Sequence, residues 1–230
     1  MKIIWLGHSS FRIEIEDQVL LIDPWLHDNP TFPNENRTQA LAGATAILMT
    51  HGHSDHVADV PEIAAETGAP VVGVYELVEW MEKTPGVSGI GFGKGGTIKL
   101  NTVEVTLLNA QHSSSVLLAG ERRYVGGEAG FMISGAGHTI YVSGDTDVMA
   151  DMEIFNDLHQ PDIGILACGG HFTMDMRRAS YAANKFFNFK TVIPCHYKTF
   201  PMLEQSAEVL INGLPDVDVI EPVVMQPIEI

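Results

Sequence analysis

Three histidines and one aspartate within six residues are the strongest chemical signal in this sequence. His51, His53, Asp55 and His56 follow the pattern His-x-His-x-Asp-His. The apolar run 45–49 before them predicts a buried strand, and residues 57–67 after them have apolar positions at helical spacing. On an extended backbone the first two imidazoles project to the same side, because side chains alternate along a strand. Asp55 and His56 then begin the helix, and their side chains can reach a second metal position close to the first.

This mixture of imidazole and carboxylate predicts a transition-metal site. Such ligands suit zinc, manganese, iron or nickel better than calcium or magnesium. A polar loop whose histidines merely cap a helix is the alternative, but capping does not explain four such residues directly behind a buried strand. We therefore expect two divalent ions side by side, with zinc as the first candidate.

Further ligand candidates follow other predicted strands. His112 comes after strand 102–108, Asp145 after strand 138–143, and His196 ends the strand that begins at 191. Asp147 competes with Asp145, but we expect it to cap a helix that begins near Met149. These positions predict ligands that converge at one edge of the fold.

Four other features are candidates for supporting roles. Asp23 closes a buried strand, where a metal-bound histidine is a suitable partner. His8 also follows a strand, and either lines the site or satisfies a structural hydrogen bond. His171 lies in a Gly-Gly turn that lets the backbone approach a ligand closely. The sequence predicts a long loop over residues 24–43. Its Trp25 either lines a pocket or only holds the loop against the rest of the protein.

Composition narrows the function classes. The 230 residues include 29 Asp and Glu against 13 Lys and Arg, a formal charge of −16, which disfavours nucleic acid as a partner. No apolar run is long enough for a membrane span, and the N-terminal apolar segment is too short for a secretory signal. Two lone cysteines indicate reduced thiols and a cytoplasmic location. Whether the chain forms a homo-oligomer is left open.

The order of predicted elements indicates the architecture. Short strands open the chain, and later strands alternate with helices while polar candidates stand at strand ends. This order predicts an α/β (α+β) fold, a four-layer αβ/βα sandwich of two mixed sheets. No linker or repeat interrupts the sequence, so we expect residues 1–230 to form one domain.

The chain resembles the metallo-β-lactamase superfamily, and more closely the metal-dependent hydrolases akin to ascorbate-6-phosphate lactonase. The matching segments span nearly all of the sequence: Gly7–Phe11, Leu21–Pro24, Thr50–His56, Ser143–Thr146, Phe172–Met174 and Ile193–Pro201. One departure stands out, because the family commonly has Gly-Asp-Asn where this chain has Gly169-Gly170-His171. Substrate contacts of that loop are therefore not carried over from relatives.

The resemblance also implies how the seven ligands are shared. One metal would be held by His51, His53 and His112, and a second by Asp55, His56 and His196, with Asp145 bridging the two.

The expected function is hydrolysis of a small ester, lactone or phosphoester. Two divalent ions about 3.5–4 Å apart lower the pKa of bound water, and the metal-bound hydroxide is the nucleophile. Asp55 would orient that hydroxide or accept its proton, and His171, if it faces the metals, would protonate the leaving group. A metal-dependent nuclease or phosphodiesterase, and a non-catalytic metal-binding module, are the alternatives.

Overall fold

Two seven-stranded mixed sheets build the protein, and the computed structural model describes residues 1–230. The first sheet has the order β16-β1-β2-β3-β4-β5-β6. Its strands are β1 (Lys2–Gly7), β2 (Ser10–Ile15), β3 (Gln18–Ile22), β4 (Ala46–Met49), β5 (Val71–Val74), β6 (Gly89–Phe92) and β16 (Pro227–Glu229). Pairing is antiparallel from β16 to β3 and parallel from β3 to β6.

The second sheet repeats this plan. Its order is β15-β14-β13-β12-β11-β8-β7, antiparallel from β7 to β12 and parallel from β12 to β15. Its strands are β7 (Thr97–Leu100), β8 (Val103–Asn109), β11 (Ala129–Gly135), β12 (His138–Val142), β13 (Ile163–Ala167), β14 (Thr191–Cys195) and β15 (Asp218–Val219). A separate hairpin consists of β9 (Val116–Leu118) and β10 (Glu121–Arg123).

Seven helices cover the sheets: α1 (Arg37–Leu41), α2 (Ser54–Val57), α3 (Val60–Thr67), α4 (Tyr75–Met81), α5 (Asp151–His159), α6 (Met176–Phe186) and α7 (Glu208–Gly213). None of them is long and apolar enough to cross a membrane. The larger apolar core includes residues of both sheets, such as Phe11 and Phe131, which are fully buried. This shared core and the sheet order confirm the predicted sandwich of two mixed sheets.

The structure differs from the sequence predictions in three places. The helix expected over 57–67 is two helices, α2 and α3, and the loop 24–43 contains α1. Asp147 does not cap α5, which begins at Asp151, and it pairs instead with Arg178.

Candidate metal centre

The candidate ligands converge where strands of both sheets end. His51 to Asp55 follow β4, His112 follows β8, Asp145 follows β12, and His196 follows β14. The two sheets are joined beside the cluster, since the N–H of His196 donates to the carbonyl of His8 (3.0 Å). The turns that follow these buried strands thus place the candidate side chains in one cluster.

One group consists of three imidazoles. Candidate ligand atoms of His51, His53 and His112 all lie within 4.8 Å of one another. His51 Nε2 and His53 Nδ1 are 2.9 Å apart. Burial is the largest cause that lowers the pKa of each of the three imidazoles. A lowered pKa keeps an imidazole neutral, the form that binds metal.

A second group combines imidazoles with a carboxylate. Ligand atoms of His8, Asp55, His56 and His196 also lie within 4.8 Å of one another. Asp55 Oδ2 is 3.8 Å from both His56 Nε2 and His196 Nε2. Asp55 is the one member that is partly exposed, with 32% of its side chain accessible.

Asp145 stands between the two groups. Its Oδ2 atom lies 3.2 Å from His196 Nε2, 3.3 Å from His56 Nε2, 3.7 Å from His112 Nε2 and 4.0 Å from His51 Nε2. Burial alone would raise the pKa of Asp145, but the charges of His196 and His56 hold it well below its usual range. A single carboxylate is therefore close to imidazoles of both groups.

Asp23 lies behind the cluster and accepts three hydrogen bonds. His56 Nδ1 donates to Asp23 Oδ2 (2.7 Å), so His56 Nε2 faces the cluster. The N–H and hydroxyl of Thr50 donate to the same carboxylate over 2.7 and 2.5 Å. A carboxylate that accepts from an imidazole in this way can orient a ligand histidine, and this role of Asp23 stays a prediction.

The donor set fits divalent cations. His56 Nε2, His196 Nε2 and Asp145 Oδ1 are buried and make no hydrogen bond, and such buried polar atoms need a partner. Asp23, Asp55 and Asp145 also gather three carboxylates around His56, and their charges are costly in a buried site without cations. In a tetrahedral zinc site neighbouring ligand atoms are about 3.3–3.6 Å apart, close to the separations found around Asp145.

His8 is closer to the cluster than the sequence suggested. It is fully buried, its Nε2 donates to Asp55 Oδ2 (3.1 Å), and its Nδ1 accepts from the hydroxyl of Thr199 (2.9 Å). Burial lowers the pKa of His8 to about 4. Its position directly after β1, at the same edge as the other strand-end histidines, is the signal that made His8 a candidate in the sequence.

Backbone conformation at the cluster is unusual. His8, Asp23 and His196 have φ values of 52°, 43° and 60°, a region that non-glycine residues rarely adopt. Gly144 has a φ of 58°, and a Cβ there would overlap the carbonyl oxygen of Ala129. Strain of this kind persists where surrounding structure enforces it, and it concentrates at functional sites.

His171 does not join the cluster in this structure. It is exposed, and its ring packs edge-on against Phe172 with ring centroids 4.5 Å apart. Two neighbouring clefts that His171 lines contain Asp175 but none of the seven predicted ligands. Phe172 does line the cleft of the cluster. A catalytic role for His171 stays a prediction that requires the 169–173 turn to move.

The loop 24–43 is held down rather than open. Trp25 and Phe32 are buried, and Trp25 packs against the ring of His8 with centroids 5.4 Å apart. Leu26 N and His27 N both donate to Asp59 Oδ2. The loop therefore supports the cluster from behind through Trp25.

Comparison with known proteins identifies relatives of this chain. The model of the beta-lactamase superfamily domain matches residues 18–197. A UPF0173 metal-dependent hydrolase of Dinoroseobacter shibae is 64% identical over 230 residues, which cover 100% of both chains. A relative of the same description from Paracoccus denitrificans is 60% identical over 228 residues, 99% of each chain.

A solved structure extends the likeness to the fold. Igni18, a metallo hydrolase from Ignicoccus hospitalis, has a TM-score of 0.85 at 30% identity, over 100% of this chain and 98% of its own. The candidate ligands at strand ends, the two mixed sheets and these relatives lead to one assignment. The chain belongs to the metallo-β-lactamase superfamily and is a metal-dependent hydrolase.

Proposed function

We propose that the cluster holds two divalent transition-metal ions and hydrolyses a small ester, lactone or phosphoester. Zinc is the first candidate, with manganese, iron or nickel as alternatives. The observation that carries this proposal is the position of Asp145 Oδ2, which lies within 4.0 Å of four imidazoles that belong to two groups. One ion alone would leave donors unused, since a catalytic zinc takes three protein ligands.

The proposed ligand sets follow the two groups. His51, His53 and His112 would hold one ion, and Asp55, His56 and His196 the other, with Asp145 shared. Bound there, two such ions would lower the pKa of a water molecule and stabilise negative charge on the leaving oxygen.

The protein's own residues supply orientation. Asp23 fixes the tautomer of His56 by accepting from its Nδ1 (2.7 Å). His8 donates to one oxygen of Asp55 (3.1 Å), which positions the carboxylate. Because Asp55 is also partly exposed to the cleft, we assign it the orientation of the attacking water or acceptance of its proton.

A small substrate is favoured by the size and charge of the site. The cleft has a volume of about 260 Å³, and the whole chain carries a formal charge of −16. A polynucleotide would be repelled by this surface. Hydrolysis of RNA or of a phosphodiester is the second candidate and is decided by the experiment below.

Two broader features complete the proposal. We propose that residues 1–230 act as one domain, which the core shared by both sheets supports. A cytoplasmic location is supported by Cys168 and Cys195, both of which are buried free thiols.

The test compares apoprotein with protein reconstituted with zinc or manganese. Each form is assayed against a panel of lactones, carboxylic esters, phosphomonoesters, phosphodiesters and RNA. Turnover of a small ester, lactone or phosphomonoester that depends on metal is expected. Metal-dependent cleavage of RNA or phosphodiesters alone would support the nuclease or phosphodiesterase, and turnover that is equal in apoprotein and reconstituted protein would contradict the metal centre.

A further inference from the structure

One arginine lines the cleft that contains the ligand cluster. Arg122 lies on β10 and shares the wall of this cleft with His53, Asp55 and His196. Its Nη1 donates to the hydroxyl of Ser115 over 3.3 Å, at the base of the β9–β10 hairpin. The guanidinium is therefore attached to the hairpin beside the proposed metal centre.

Arg122 is free of the ion pairs that occupy most other arginines. Acidic residues outnumber basic ones by 29 to 13. Even so, Arg122 forms no ion pair, whereas Arg123, the next residue, pairs with Glu121 at 2.5 Å. Three further arginines also have carboxylate partners: Arg12, Arg37 and Arg178.

The remaining charges of the cleft are carboxylates. Asp55 and Asp145 line it together with Arg122, and no lysine or second arginine does. Both carboxylates are committed to the proposed metal ions. Arg122 is thus the only arginine or lysine in the wall of this cleft, and it forms no ion pair with a carboxylate of the chain.

On the basis of the proposed hydrolytic centre, we propose that Arg122 is a specificity-determining residue that binds an oxyanion of the substrate. The planar guanidinium matches a carboxylate or a phosphate group through two parallel hydrogen bonds. The substrate class is accordingly a small ester, lactone or phosphoester that carries a carboxylate or phosphate beside the bond to be hydrolysed.

The test measures binding rather than turnover. Isothermal titration calorimetry with zinc-loaded protein compares butyrohydroxamate with two anionic hydroxamates, the monohydroxamate of succinic acid and 3-phosphonopropionohydroxamate. The hydroxamate end anchors each compound at the metals, so the anionic end reports on Arg122. Arg122→Gln removes the charge, Arg122→Lys keeps it without the planar fork, and Arg123→Gln is the matched control on the same strand.

We expect at least one anionic compound to bind about 10–100-fold tighter than butyrohydroxamate, the gain typical of a hydrogen-bonded charge pair. The stronger of the two identifies carboxylate or phosphate. The gain should vanish in Arg122→Gln, fall in Arg122→Lys and persist in Arg123→Gln.

Two kinds of result would contradict the role of Arg122, and they differ in what they imply for the metal centre. Equal affinities for anionic and neutral hydroxamates, or a gain that survives in Arg122→Gln, would overturn the role of Arg122 and leave the metal centre intact. If no hydroxamate binds the zinc-treated protein, the proposed metal centre fails, and the role of Arg122 fails with it.

Discussion

Replacing Asp23 by Asn removes one charge and reverses one hydrogen bond behind the cluster. The carboxylate accepts from Thr50 N, from the Thr50 hydroxyl and from His56 Nδ1. An amide offers one oxygen and one N–H₂ group in place of two oxygens. If the amide oxygen accepts from Thr50 N–H, the amide N–H₂ group faces His56 Nδ1–H, which is also a donor. If the amide is flipped, its N–H₂ group faces Thr50 N–H instead. Neither orientation serves both donors.

The effect on metal binding follows from the tautomer of His56. When Nδ1 loses its acceptor, the proton moves to Nε2, the atom that lies 3.3 Å from Asp145 Oδ2 and is proposed to bind metal. Loss of such an orienting carboxylate typically costs about 10–100-fold in metal affinity. That range corresponds to about 1.4–2.7 kcal/mol of binding free energy.

The effect on folding should be moderate. Exchanging buried hydrogen bonds to a carboxylate for weaker ones to an amide costs about 1–3 kcal/mol of the free energy of unfolding. Domains are stable by about 5–15 kcal/mol, so the variant should fold, with a Tm lowered by about 2–10 °C.

Zinc competition with a chromophoric chelator measures the affinity, and circular dichroism measures the Tm. Asp59→Asn is the matched control, because Asp59 Oδ2 alone accepts from Leu26 N and His27 N and an amide oxygen can replace it. An Asp23→Asn protein that holds zinc as tightly as the parent would refute the reasoning. One that unfolds outright would make Asp23 a structural residue.

Three further substitutions test the bridging carboxylate, the 169–173 turn and the hydrogen bond between His138 and Asp162. Asp145→Asn should reduce bound metal from two ions toward one in elemental analysis, because a neutral amide bridges two cations poorly; unchanged stoichiometry and rate would remove Asp145 from the bridge. His171→Asn should leave both metals bound. If the 169–173 turn closes over the substrate, the variant should turn over about 10²–10⁴-fold more slowly and one limb of its pH–rate profile should move. An unchanged rate and pH–rate profile would make His171 structural.

Asp162→Asn should cost about 1 kcal/mol of unfolding free energy, because the single amide oxygen cannot accept from both Thr139 N–H and His138 Nδ1, as the two carboxylate oxygens do at 2.9 Å. Burial acts to raise the pKa of Asp162, but the hydrogen bonds from Thr139 N–H and His138 hold it below its ordinary value. The stabilisation is therefore present above the unfolded pKa and lost as pH falls through the folded one. Urea denaturation should show the two proteins converging in acid, and a difference that is constant with pH would contradict this origin.

The convergence of the candidate ligands could be predicted from sequence because each follows a buried strand. Asp145 and His196 are far apart in the chain, but β12 and β14 lie in one sheet and end at the same edge. Parallel strands bring their carboxyl ends together, and ligands of open α/β sheets gather there. The fold class followed from the same order of strands and helices.

Other features depend on tertiary contacts that the sequence does not record. β6 is rich in glycine, a poor strand former, but a Cβ at Gly89 would overlap the side chain of Val78, so the close packing against α4 requires it. A single histidine such as His8 looks structural until Asp55 is found beside it. The exposed orientation of His171 likewise depends on how its turn packs, which spacing alone does not determine.

Anomalous diffraction from crystals of zinc-loaded protein, collected at the zinc edge, tests the dinuclear centre most directly. We predict two peaks in the cluster, one among His51, His53 and His112 and one among Asp55, His56 and His196, with Asp145 between them. A single peak, or peaks away from these residues, would contradict the proposed centre.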